Sequence, residues 1–197
     1  MQVNAPPESL LRRLKETTSE VHRRVEERLD VFGPDFDLGR YVVLLQQFYG
    51  FWEPIEANLQ RLPELRNPAL SLENRLKAHL LETDLRAFRI DSALAARCSH
   101  LPRLRTFGQA LGCMYVLEGS TLGSQIIARH LAERFRIDSG SGAAFFNAYS
   151  GAVGARWAEF RQFLTSHIDT SCVDELLGTA VETFECFDSW LAAGLGR

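Results

Sequence analysis

One histidine in the chain stands where it could serve as a ligand. His22 lies in the run LKETTSEVHRRVEERL, beside an apolar seam formed by Leu11, Leu14, Thr18, Val21, Val25 and Leu29. Their three- and four-residue spacing predicts a helix capped by Ser9 and running to about Leu29. Thr18 precedes His22 by one turn and Glu26 follows it by one turn. Side chains four apart on a helix meet, so Glu26 can accept the proton of one imidazole nitrogen and leave the other free for a metal. The spacing alone equally describes a surface histidine in an ion pair, which is its more common use. Lys15, two turns before His22 on nearly the same face, could meet a carboxylate of a ligand held there. Arg12, Arg13, Arg156 and Arg161 are further cations whose ordinary use is solvated surface charge.

A second stretch, YVLEGSTLGSQIIARHL, breaks the rules of the helix it belongs to. Val116, Leu117, Ile126, Ile127 and Leu131 keep helical spacing, but Gly119, Ser120, Thr121 and Gly123 crowd its middle. Each interior glycine costs about 0.5–1 kcal/mol relative to alanine. Glycines four apart bare a strip of backbone, against which another helix or a planar ligand can lie, and spacing does not choose between them. Ser120 and Thr121 can rebond carbonyls that a kink would free. Tyr115, Phe184 and Phe187 are candidates to line an apolar slot, although phenylalanines at helical spacing are mostly core.

The remaining pattern is helical throughout. Asp37 can cap a second helix, LGRYVVLLQQFYGFWEPIEANLQRL, in which Pro54 is expected to introduce a kink or a break. Ser71 opens a predicted third helix, LENRLKAHLLETDLRAF. A fourth segment runs from about Leu104 to Val116 and resumes from Ser124 to Arg134. Helices over Ala143–Ser166 and Val173–Ala193 complete the chain. The fold class is all-α: a compact single-domain bundle of about seven helices over residues 1–197, with 1–8 as a flexible N-terminus.

Bulk properties exclude several functions. Lys and Arg number 22 against 25 Asp and Glu, a formal net charge of −3, so the chain lacks the basic character of a nucleic-acid binder. The four cysteines form no C-x-x-C pair, which argues against zinc or a disulfide framework. No signal peptide and no membrane-spanning run is visible, so the expected location is cytoplasmic. The Glu-x-x-His pairs of di-iron bundles, phosphate loops and nucleophile elbows are also missing.

Taken together, LKETTSEVH and YVLEGSTLGSQ resemble the proximal and distal helices of heme oxygenases, especially the bacterial branch that supplies biliverdin to bacteriophytochromes. The resemblance covers length, helical pattern and motif order. It implies heme, both substrate and cofactor, held between the first helix and a glycine-kinked distal helix. His22 would be the axial iron ligand and Glu26 its orienting partner. Lys15 matches a propionate-binding lysine. Thr18, Tyr115, Phe184 and Phe187 would stand near the heme, and Gly119, Ser120 and Gly123 on its distal side. Mammalian members carry Asp where this chain has Ser120, so Ser120 and backbone carbonyls would hold the distal water. The implied reaction opens heme to biliverdin, carbon monoxide and ferrous iron. It uses dioxygen and an external electron donor, a ferredoxin or reductase, with a bacteriophytochrome as a possible biliverdin acceptor. Competing readings are a heme carrier or sensor that does not open the ring, a thiaminase-like relative without heme, and a plain helical scaffold.

Overall fold

The computed structural model describes residues 7–195, and the expected flexible segment lies largely outside them. Six α-helices follow one another: α1 (Pro7–Leu29), α2 (Leu38–Leu59), α3 (Ala78–Ala87), α4 (Phe107–Phe135), α5 (Val153–His167) and α6 (Val173–Leu195). Five short 3-10 turns join them, and no strand occurs among the described residues. α1 begins at Pro7, where a missing N–H costs nothing, so Ser9 lies inside the helix instead of capping it. Asp37 caps α2 by accepting from the Arg40 N–H at 2.8 Å. Thr106 does the same for α4 through Gln109.

α6 is the spine. α1 and α4 both pack along it and come close to each other at few points. α2 lies against α6 and α3, and α5 lies against α4. The aromatic core gathers Phe48, Phe51 and Trp52 of α2 with Phe145 and Phe187. Among the described residues, no helix is long and apolar enough to cross a membrane. All four cysteines are free thiols; burial pushes Cys113 up to about 12.

Four elements depart from the sequence expectation. α2 runs unbroken past Pro54. Proline leaves the carbonyl four residues earlier without its helical donor, and here the Cys98 N–H bonds that Gly50 oxygen at 2.9 Å. Gly50 permits the approach, because a Cβ there would strike the Ala96 carbonyl. The predicted third helix divides: Ser71 is left-handed at φ 51°, Leu72–Arg75 form a 3-10 turn, and α3 starts only at Ala78. Glu56 holds this late start by accepting from the Lys77 and Ala78 N–H groups at 2.7 and 3.0 Å. The segment predicted to open the next helix at Ala143 is a run of turns up to α5. Asp84 ties it down, accepting from the Ala144 and Phe145 N–H groups at 2.6 and 2.9 Å. Finally, α4 is one helix of 29 residues, not two segments separated at the glycines.

Asp84 is 1 % exposed, and burial outweighs its two N–H donors, raising its carboxyl from 3.8 to about 6. Between those values the folded state keeps a proton the unfolded chain has lost, so this group's contribution to stability falls as pH rises from about 4 to about 6. The full effect is up to about 3 kcal/mol. Asp84→Asn should flatten that slope; denaturant unfolding of both chains between pH 4 and 7 checks it.

Candidate functional site

On the α1 side, the His22 ring meets the edge of Phe184 from α6, with centroids 5.4 Å apart and planes at 84°. Its Nδ1 lies 3.6 Å from the Glu26 carboxylate, a close pair just beyond hydrogen-bond length. Both side chains are at least half exposed. With Nδ1 turned to Glu26, Nε2 is left for a ligand. Lys15 is exposed. Thr18 is buried and donates to the Leu14 carbonyl at 2.7 Å. Burial raises the Tyr115 phenol above its ordinary range.

On the α4 side, three glycines have different surroundings. At Gly112 a Cβ would strike the Leu176 carbonyl and press the Ala180 N at 3.1 Å, so this is where α4 and α6 cross tightly. At Gly119 the nearest atoms are the benzo edge of Trp157 at 3.7 and 3.9 Å, ordinary contact distance. At Gly123 nothing lies within 4 Å. Gly119 and Gly123 therefore serve no helix crossing. The bared strip faces open space and continues past Ile126, which is 64 % exposed. Residues four and seven apart share a helix face, so Gly119, Gly123 and Ile126 form one stripe.

The hydroxyls of the stretch fold back onto the helix. Ser120 donates to the Leu117 carbonyl at 2.8 Å, Thr121 to Glu118 at 2.7 Å and Ser124 to Ser120 at 3.0 Å. Such back-bonding is associated with bending, and here the helix stays continuous. Ser120 thus keeps lone pairs to accept a water proton while its own proton is engaged.

The sequence-predicted aromatics part company. Phe184 stands beside His22, whereas the Phe187 ring packs 5.1, 4.8 and 5.3 Å from Phe48, Phe51 and Trp52 in the core. Both phenylalanines are buried in the core, Phe184 at the His22 end and Phe187 against α2.

A buried ionic cluster behind the glycine strip was not anticipated. Glu118, 2 % exposed, pairs with Arg75, accepts from Lys77 Nζ at 2.5 Å and accepts from the Tyr149 hydroxyl at 2.9 Å. Arg75 and Lys77 are also buried. Desolvation lowers Lys77 below its ordinary range and raises Tyr149, the latter with help from the Glu118 charge. Tyr149 is left-handed at φ 67°, which aims its hydroxyl at Glu118. The sequence carried one signal: an acidic residue following the apolar run from Leu111 to Leu117. Nothing in it pointed to Arg75, Lys77 or Trp157.

Alanine at each glycine should separate the three roles. Gly112→Ala should destabilise the fold by about 1–3 kcal/mol through overpacking. Gly119→Ala and Gly123→Ala should fold with equal or slightly higher stability, having space for a methyl group and better helix propensity. Thermal unfolding of the three variants checks this. Glu118→Leu should cost about 3–5 kcal/mol, since it removes the carboxylate that the buried Arg75 and Lys77 share, and denaturant titration reads that loss.

Comparison with known proteins adds to this geometry. The fold is similar to that of a heme oxygenase from Neisseria meningitidis crystallised with NO and CO bound, with a TM-score of 0.81 and 20% identity over 95% of this chain and 92% of that one. No curated protein matches the chain in sequence. The family model described as "Heme oxygenase" matches residues 8–193. With that match spanning nearly the whole chain, the protein belongs to the heme oxygenase family.

Proposed function

We propose that the protein binds heme in the cleft between α1 and α4 and opens it to biliverdin, carbon monoxide and ferrous iron. The observation that carries this reading is the pairing of an available imidazole nitrogen on α1 with a side-chain-free strip on α4. The residues fit the group. His22 would hold the iron through Nε2, oriented by Glu26 at Nδ1. The Phe184 edge would fix the imidazole plane. The open backbone at Gly119 and Gly123 would let a flat macrocycle approach and leave room for dioxygen beside it. Lys15 and the Tyr115 phenol are the polar groups we assign to the carboxylate-bearing edge.

Bound heme supplies the iron that activates dioxygen and the ring carbon that is oxidised. The chain's own task on the distal side is to hold a proton source. Ser120 Oγ, its proton given to Leu117, can accept from one ordered water, whose second proton then points to the strip. An external donor, a ferredoxin or reductase, provides the electrons, and a bacteriophytochrome would suit the biliverdin as acceptor. The proposed setting is the cytoplasm.

A second reading, a heme carrier or sensor, is favoured by one feature: a neutral serine with a committed proton at the position where mammalian members carry Asp. Adding reductant in air to the hemin complex separates the readings. Conversion of the Soret band to a verdin spectrum supports the enzyme, and a persistent Soret band overturns it. His22→Ala should lose turnover by at least about 100-fold and regain part of it with added imidazole. Undiminished activity without imidazole would remove His22 from the axial position.

A further inference from the structure

We infer that Trp157 is the wall that ends the glycine strip and so sets how a heme is seated in its own plane, and with that which edge of the ring is opened. The inference rests on the heme reading above. The strip is asymmetric. Its Gly119 end is covered by the indole at 3.7 Å from a Cβ position, its Gly123 end has nothing within 4 Å, and Ile126 beyond it is exposed. A flat ligand lying along α4 is therefore free to slide one way and is stopped the other way.

The indole is held on several sides, as a wall must be. It stacks on Phe160 at 5.9 Å and 26°, and Phe160 is fully buried. Behind Phe160 sits the Arg75 guanidinium, 5.6 Å from the ring centroid, itself paired with Glu118. The Tyr115 ring lies 5.5 Å from the indole, and Arg161 lies over it at 5.9 Å. Trp157 is thus braced from α4 through two routes, Tyr115 directly and Glu118 by way of Arg75 and Phe160. A side chain fixed to the same helix as the strip is suited to define position along it. Trp157 is a positioning residue in this role and takes no part in proton or electron transfer.

The test reconstitutes wild type, Trp157→Ala and Trp157→Phe with hemin, adds cyanide, and reads the heme methyl resonances by proton NMR, which report seating without turnover. Wild type and Trp157→Phe should share one dominant set. In Trp157→Ala a second set should rise at least fivefold over its wild-type share, and the verdin isomer ratio should move in the same direction. An unchanged methyl pattern in Trp157→Ala overturns the inference. So does loss of hemin binding in Trp157→Ala with Trp157→Phe intact, which would make the indole a source of affinity. Circular dichroism guards against misfolding, with Trp157→Leu read by the same criteria if the alanine chain loses helix. A wild-type chain with no Soret band would instead overturn the heme reading itself.

Discussion

The arrangement depends on one buried carboxylate. Glu118 sits immediately before Gly119 in α4, and a charge without water needs partners close at hand. Those partners come from two segments distant in sequence: Arg75 and Lys77 from the turn before α3, and Tyr149 from the turns before α5. Satisfying Glu118 therefore dictates where three parts of the chain must run. It also explains local conformations that are otherwise unfavourable. Ser71 and Tyr149 adopt positive φ, and a helix otherwise able to begin at Ser71 is delayed to Ala78. The cluster contributes little net energy over an apolar replacement. What it supplies is register, in that α4, α5 and the turn at Arg75 cannot slide past one another without stranding a charge.

On that fixed helix, glycines of the same type do opposite jobs. Gly112 is small so that α6 can approach; Gly119 and Gly123 are small so that no protein atom need approach. The first belongs to packing, and the other two lower helix propensity without improving any packing contact. Local rules broken without a structural gain mark functional sites. The Gly50–Pro54 pair on α2 shows the contrasting case. There the broken rule is repaired on the spot by the Cys98 N–H, and its purpose is structural.

What was legible in the sequence follows from the range of the forces involved. The all-helical class, the C-terminal end of α1, the start of α6 and the His22–Glu26 pair are local features set by 3.6-residue periodicity. The glycine strip was visible as a local anomaly, but its partner was not, because contact with a helix or with open space is a tertiary fact. The boundaries that came out differently share one cause. At Ser71, Ala143 and Pro54, side chains or N–H groups from distant segments overrode local preference: Glu118 and Glu56 in the first case, Asp84 in the second, Cys98 in the third. Phe184 and Phe187 were indistinguishable by residue type, and only tertiary packing shows one beside His22 and the other against Phe48, Phe51 and Trp52.

The two walls of the cleft differ in how firmly they are held. The α4 wall is braced by the buried cluster, by Trp157 on Phe160 and by the tight crossing at Gly112. The α1 wall presents His22 and Glu26 half exposed, touched by one phenylalanine edge and by each other. α1 itself is anchored on α6 by Leu14, Val21 and Val25 and by the Arg28–Asp188 pair at 2.5 Å, so under the proposed heme reading the part free to adjust is the half-exposed His22 side chain, and the α4 backbone would stay fixed opposite it.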